Sequence, residues 1–453
     1  MLDLPTSILN TFRLFSPLFS RPMFKNAVLL FIGHILCKNR HTIADILRSL
    51  NLKNIKNFSK FHWVLSGANW DPLKGSKLLF TSLIKLCHGE IVLVLDSTIE
   101  RRRGSKIQGL GRQRDAARSS KDNKVLTIGL NWLVCAMNVQ LPFINRSWAL
   151  PFLTILMPPE RPLRSSKNRK DLNRKSRHKK LTKWSCQIAY IVRRWAGKKK
   201  KITLVADNAF ACFELMYSCI RNNIGLISKI RLDARLYDFV PKNSHPKKGR
   251  KRVAGKVLPK LSELAKKDLK KWKKVKVSWY EGKTKSVFIQ TGKCLWYYIG
   301  FRPVPIVWVL VKSSVGEEPV AFFSTHLSHT PKQIIERFVR RWSIESTFEE
   351  ARRHLGMETQ RQWSDKAIMR TTPVILASFS IVTLMAINLS VSSGEKIPVQ
   401  QTSWYKKERI TFSDVLSYVR MPIVREQIKS LLRKKGELKK ISLEELIYER
   451  AAA

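Results

Sequence analysis

Two short runs of apolar residues constrain this fold more than any other feature of the chain. Residues 91–95 read IVLVL and are followed by Asp96, and residues 202–206 read ITLVA and are followed by Asp207. A continuous apolar run of this length is typical of a strand that is buried on both faces of a sheet. Helical patterns alternate with the strand-like runs along the chain, which predicts an α/β fold.

The two aspartates that follow these runs form a candidate metal site. If the two strands are neighbours, Asp96 and Asp207 project from one edge of the sheet, where open α/β folds bind their ligands. Two carboxylates at short range repel each other, and a divalent cation removes that repulsion; their oxygen atoms suit Mg²⁺ or Mn²⁺. An aspartate after an apolar run is more often a turn or a helix cap, so this pattern alone leaves both interpretations open.

A charged helix that begins at Pro331 supplies a third candidate ligand. Arg341 lies four residues before Glu345 and Arg352 lies seven residues after it, so the three share one helical face. Glu349 shares that face, and the residue pattern by itself does not choose between the two glutamates. A solvated helix with ion pairs one turn apart is the alternative interpretation.

The same helix carries a recognisable signature. The string FVRRWSIESTFEEAR contains Phe338-x2-Arg341-x3-Glu345-x6-Arg352, which resembles the tyrosine–arginine–glutamate–lysine signature of bacterial insertion-sequence DDE transposases. Phe stands where Tyr is usual and Arg where Lys is usual, whereas the spacing matches throughout. The segments LVLDST and LVADNAF, around the two aspartates, resemble the first and second catalytic segments of that family.

This resemblance implies a fold, a catalytic site and a substrate. It implies a ribonuclease H-like core, a mixed sheet with flanking helices, with a β-rich insertion and helical N- and C-terminal regions. It implies that Asp96, Asp207 and Glu345 are catalytic and bind two Mg²⁺ ions, with Mn²⁺ as a substitute. It implies double-stranded DNA partners, namely transposon terminal inverted repeats and target DNA, that are cut and joined. The residues implied to contact this DNA are Phe338, Arg341, Trp342 and Arg352.

The resemblance and the changes in composition together predict five segments. A helical region (1–89), interpreted either as a DNA-binding module or as plain helix packing, precedes the first part of the core (90–238). A basic linker with the β-rich insertion follows (239–330). The glutamate-bearing helix and an apolar helix complete the core (331–392), and a helical region closes the chain (393–453).

The charge balance independently indicates a polyanionic partner. The chain has 453 residues, with 85 Lys and Arg against 33 Asp and Glu, and a formal charge of +52. A folded chain with this charge repels itself strongly, which favours nucleic acid over a small acidic substrate. Two basic tracts, 161–201 and 247–276, are candidates for contacts to the DNA backbone. The alternatives are a ribonuclease H-like nuclease or resolvase without strand transfer, and a non-catalytic basic nucleic-acid-binding protein.

Two uncharged stretches raise the question of a membrane. Residues 125–145 contain Asn, Gln and Pro and predict two buried strands, while the apolar core of 371–394 is shorter than the ~20 residues of a spanning helix. The seven cysteines show no zinc spacing, and the first residues lack the pattern of a signal peptide. We therefore expect a cytoplasmic protein without membrane contact. The resemblance further implies a bacterial, nucleoid-associated protein that acts on DNA as a homodimer, because two transposon ends must be processed together.

Overall fold

A computed structural model describes nine stretches of the chain: residues 4–115, 118–120, 122–144, 146–160, 178–241, 252–266, 272–313, 317–404 and 406–435. Parts of both predicted basic tracts, 161–177 in the first and 247–251 and 267–271 in the second, lie outside the described residues.

Helices cover both ends of the described chain and flank its middle. They are α1 Thr6–Arg13, α2 Arg21–Leu36, α3 Ile43–Ser49, α4 Ser59–Ser66, α5 Pro72–Ile84, α6 Leu181–Ala196, α7 Phe213–Arg221, α8 Leu261–Lys266, α9 Pro331–Arg340, α10 Ser343–His354, α11 Asp365–Ser393 and α12 Phe412–Lys435. The strands are β1 Ile91–Arg101, β2 Gly111–Arg114, β3 Leu126–Gln140, β4 Ser147–Met157, β5 Ile202–Ala206, β6 Ile224–Ile230, β7 Leu236–Tyr237, β8 Lys273–Ser278, β9 Thr284–Trp296, β10 Val304–Lys312 and β11 Val320–Ser324.

The central strands run in the order β4-β3-β1-β5-β6. Strands β1, β5 and β6 are parallel, and β3 is antiparallel to both β1 and β4. The two apolar runs thus form adjacent parallel strands, each covered on both faces, as their continuous apolar pattern predicts. This mixed sheet flanked by helices confirms the predicted ribonuclease H-like α/β fold.

The strands of the β-rich insertion predicted within 239–330 extend this same sheet rather than forming a separate one. β11 pairs with β6, β10 pairs with β11, and β9 pairs with β10. Both β7 and β8 pair with β9. β9 runs through Trp296, and the chain then turns at Gly300. The turn requires a left-handed backbone at that glycine, with φ +89°.

The long helix predicted from Pro331 is divided at the signature. α9 ends at Arg340, and α10 begins at Ser343. Four amides near this junction bond to the carbonyl three residues back, and they belong to Arg341, Trp342, Ile344 and Glu345. This tightens the backbone to a 3-10 turn, so offsets counted along one straight helix do not hold across the junction.

α11 is the one described helix that is long and apolar enough to cross a bilayer. Most of its apolar stretch is buried inside the protein, where the helix packs on β4, α1 and α12. It begins at Asp365, and Arg370 anchors its first turns by donating to the carbonyls of Leu65 and Trp70. Its burial identifies α11 as a core helix.

Candidate active site

The parallel pairing of β1 and β5 brings the two predicted aspartates to one edge of the sheet. Leu95 and Ala206 are cross-strand partners, and Asp96 and Asp207 are the next residues along the chain. One oxygen of Asp96 accepts the N–H of Ser97 at 2.8 Å. Because register and backbone contacts hold both residues, their proximity is built into the sheet.

Arg341 connects Asp96 with Glu345. One terminal nitrogen of its guanidinium donates to Asp96 Oδ2 at 2.8 Å, and the other donates to Glu345 Oε1 at 3.1 Å. The arginine side chain is buried, and its Nε has no hydrogen-bond partner among the described residues. Arg341 therefore ties the edge of β1 to the first turn of α10.

Burial raises the pKa of two of these carboxylates. The pKa of Asp96 is raised to about 6, by burial first and then by the charges of Glu345 and Asp207, against the opposing effect of Arg341. Burial also raises the pKa of Glu345, and Asp207 adds repulsion there. The three carboxylates thus lie within electrostatic reach of one another, and Arg341 offsets only part of their repulsion.

This donor set suits a hard divalent cation. All three candidate ligands offer carboxylate oxygens, which Mg²⁺ and Mn²⁺ prefer, and burial disfavours the charged forms of Asp96 and Glu345, which a bound cation would offset. Within the described ranges, no three acidic, histidine or cysteine side chains form a ready-made metal cluster. Arg341 lies between Asp96 and Glu345, so a cation bound by both would compete with its guanidinium for their oxygens.

Phe338, a predicted DNA-contact residue, lies in the core. Its side chain is 5% exposed, and its ring packs on Phe322 with 4.6 Å between the ring centres. The guanidinium of Arg341 lies 5.5 Å from the centre of the Phe338 ring, and the ammonium of Lys229 lies 5.6 Å from it. The Phe338 ring thus packs against the Arg341 guanidinium inside the core. A contact between this ring and DNA would require the ring to leave the core.

Trp342, a second predicted DNA-contact residue, is half exposed next to the carboxylates. Its ring meets Tyr280 in a T-shaped contact with 6.0 Å between the ring centres. Tyr280 lies in the 3-10 turn between β8 and β9, and the charges of Arg341 and Glu345 act on its phenol. Sequence reasoning missed Tyr280, because only the folding of the β8–β9 hairpin onto α9 brings it to the site.

The remaining residues of α10 distinguish the two glutamates. Glu349 has a side chain that is 66% exposed and pairs with Arg353 at 2.6 Å. Arg352 donates to Glu358 at 3.1 Å and to the hydroxyl of Thr98 on β1 at 2.9 Å. Of the two candidate glutamates, Glu345 is therefore the one that shares a partner with Asp96.

The strand order and the acidic edge of β1 and β5 define a ribonuclease H-like class of protein. A family model described as DDE superfamily endonuclease matches residues 13–286, more than half of the chain. The chain belongs to this family. It is accordingly a nuclease-type enzyme that acts on DNA, in a superfamily that generally uses divalent metal ions. No curated protein matches the chain.

The family match covers two of the three carboxylates and not the third. The matched residues include Asp96 and Asp207 and end before α9. The inclusion of Glu345 among the candidate ligands therefore depends on the spacing of the signature and on its contact with Arg341.

Proposed function

We propose that the chain is a transposase that cuts DNA at the terminal inverted repeats of a bacterial insertion sequence and joins those ends to target DNA. The observation that carries the proposal is the bridge by Arg341 between Asp96 and Glu345, beside Asp207 on the adjacent strand. The family match supports the nuclease activity. The signature around Glu345 supports the more specific assignment to insertion-sequence transposases.

In this proposal Asp96, Asp207 and Glu345 hold two Mg²⁺ ions, for which Mn²⁺ can substitute. The bound ions would activate water or a DNA 3′-hydroxyl for in-line attack on a phosphodiester and would stabilise the leaving oxygen. Arg341, once released from one carboxylate, presents a planar fork that matches a phosphate. Trp342 and Tyr280 offer aromatic rings beside it, on which a base displaced from the duplex can stack.

Cleavage and strand-transfer assays with matched variants test this proposal. The substrates are a duplex that carries the end of the element and, for joining, a pre-cleaved end with a target plasmid, both with Mg²⁺. Glu345→Gln is expected to abolish both reactions, since it removes a ligand charge. Glu349→Gln is the control, because it removes an exposed carboxylate one turn further along the same helix and should leave both reactions intact.

The outcomes separate the three hypotheses. Cleavage with no joined product from pre-cleaved ends would identify a nuclease or resolvase instead of a transposase. If Asp96→Asn, Asp207→Asn and Glu345→Gln all left metal-dependent cleavage at the wild-type level, the three carboxylates would not be catalytic. A complete lack of metal-dependent cleavage by the wild-type chain on end DNA would leave a non-catalytic DNA-binding protein.

We also propose that the chain works as a homodimer on DNA in the bacterial cytoplasm. The reason is mechanistic, because the two ends of one element must be processed together before joining. Sedimentation with end DNA is expected to show two chains on two ends. A complex of one chain with one end at every concentration would contradict the dimer.

A further inference from the structure

A cleft of about 910 Å³ lies where β1 ends. It is formed by the loop after β1 (102–107), the start of β3 and the segment 358–363, and we refer to it as the β1 cleft. None of the residues predicted from the sequence to contact DNA lines it. Its volume is in the range of clefts that bind ligands of nucleotide size and above.

The β1 cleft is strongly cationic. One carboxylate, that of Glu358, lines it together with six cationic side chains: Arg101, Arg102, Arg103, Lys106, Arg118 and Arg361. Arg103 and Arg361 are exposed, and neither forms an ion pair with any described residue. Unpaired guanidinium groups in a concave surface favour a ligand that carries several negative charges, such as a polynucleotide backbone.

Buried contacts hold the walls of the cleft together. Arg102 pairs with the fully buried Glu100 at 2.8 Å and also donates to the carbonyl of Gln362 on the opposite wall. Glu100 in turn accepts from the indole of Trp132 and the hydroxyl of Thr372, each at 2.7 Å. Because these contacts are buried and join the two walls, they hold the cleft in shape without a ligand.

A large aromatic ring is exposed in the wall of the cleft. Trp363 is 57% exposed, and the ammonium of Lys106 lies 5.0 Å from the centre of its ring. Proteins bind unpaired nucleic-acid strands by combining cationic grooves with aromatic rings on which bases stack. A duplex keeps its bases stacked inside and could use only the cations, so the exposed indole favours an unpaired strand.

The β1 cleft lies within reach of the candidate active site. Arg101 lies five positions after Asp96 along β1, which is about 17 Å at ~3.3 Å per residue. A stacked strand covers that distance in about five nucleotides at ~3.4 Å each. Arg352, from the helix that carries Glu345, and Arg101, from the cleft, both pair with Glu358, so one network joins the two sites.

We propose that the β1 cleft binds an unpaired DNA strand that leaves the reacting phosphodiester, with one base stacked on Trp363 and phosphates bound by Arg103 and Arg361. The position of the reacting phosphodiester rests on the proposed function, whereas the preference for an unpaired strand rests on the cleft alone. A protein that melts or splays the end of a duplex during cleavage would keep the separated strand there.

The proposal is tested by equilibrium binding to two labelled DNAs of the same sequence. One DNA is a blunt duplex, and the other is a fork with unpaired nucleotides at its end. Trp363→Ala is expected to weaken binding to the fork about 5- to 150-fold and to leave blunt-duplex binding unchanged, because stacking of a base is lost. Trp363→Phe should retain most of the fork affinity. Trp404→Ala is the matched control, since Trp404 is 86% exposed and does not line the cleft.

Arg361→Ala tests the phosphate contact separately. It should lower fork affinity and reduce the slope of log affinity against log salt by about one, whereas Trp363→Ala should leave the slope unchanged. A photoreactive base placed about five nucleotides from the cleavage position should cross-link to Trp363 in the wild-type chain. Fork binding by Trp363→Ala at the wild-type level, or an equal loss on both DNAs, would overturn the proposal.

The same measurements distinguish failure of the cleft from failure of the proposed function. The Glu345→Gln chain should still prefer the fork over the blunt duplex, because the cleft does not include that carboxylate. Full cleavage by Glu345→Gln would refute the proposed active site and leave the fork preference standing. If the wild-type chain cleaved end DNA but bound the fork no more tightly than the blunt duplex, the proposed role of the cleft alone would be refuted.

Discussion

Replacing Asp96 by Asn is expected to stabilise the metal-free protein at neutral pH and to have little effect in acid. Burial, first among the causes, raises the pKa of this carboxyl from 3.8 to about 6 despite its contact with Arg341. The folded chain therefore holds this proton more tightly than the unfolded chain. The resulting loss of stability is absent below pH 3.8, grows as the pH rises to about 6, and is constant above that.

The size of the effect follows from the pKa difference. At about 1.36 kcal/mol per pKa unit, a change from 3.8 to about 6 corresponds to about 3 kcal/mol. Asn cannot ionise and keeps an oxygen for the N–H of Ser97. For a chain of this length the unfolding entropy is on the order of 1 kcal/mol per degree, so the melting temperature should rise by about 3 °C.

Thermal unfolding with a metal chelator, at pH about 4 and at neutral pH, measures this difference. Asp238→Asn is the control, because the carboxylate of Asp238 also accepts the N–H of the next residue, at 2.8 Å, but is exposed. It should change the melting temperature at neither pH. A destabilised Asp96→Asn chain at neutral pH would refute the reasoning, because the ion pair with Arg341 would then outweigh burial.

Added Mn²⁺ provides a second readout of the same variant. A cation that binds only the folded chain raises its stability with concentration. The melting temperature of the wild-type chain is therefore expected to rise with Mn²⁺, and that of Asp96→Asn to rise much less. Equal responses of the two chains would show that the cation binds elsewhere.

Three further substitutions have defined expectations. Glu90 is partly buried, but hydrogen bonds from His329 and Thr203 and the charge of Arg337 outweigh burial and lower its pKa to about 2. Glu90→Gln should thus destabilise the chain by about 3 kcal/mol at neutral pH, and this difference should shrink as the pH falls from 4.5 towards 2. A urea midpoint equal to that of the wild-type chain at neutral pH would contradict this expectation. Phe338→Ala should cost about 3–5 kcal/mol in urea unfolding because it leaves a cavity under Arg341, whereas an unchanged midpoint would place the ring outside the core. Arg341→Ala should lower the melting temperature at neutral pH, with Mn²⁺ restoring part of the loss; no restoration would argue against a cation site at these carboxylates.

Local patterns in the sequence determined the strands that form the centre of the sheet. The runs before Asp96 and Asp207 are apolar at nearly every position, and such runs are buried on both faces wherever they lie in the fold. The cap of α3 was equally local, because the hydroxyl of Thr42 accepts the N–H of Asp45 three residues later. Patterns of this kind depend on near neighbours, so they can be interpreted without the partner strand or helix.

Only the tertiary structure decided which side chains meet around the site. The continuous helical pattern after Pro331 gave no sign of the 3-10 turn that brings Arg341 between two carboxylates. Tyr280 and Trp363 belong to turns and loops whose positions depend on distant elements, such as the pairing of Arg102 with Glu100 under the cleft. The periodicity of apolar residues predicts whether a side chain is buried or exposed. The residues that a side chain contacts are instead determined by packing between segments that are far apart in the chain.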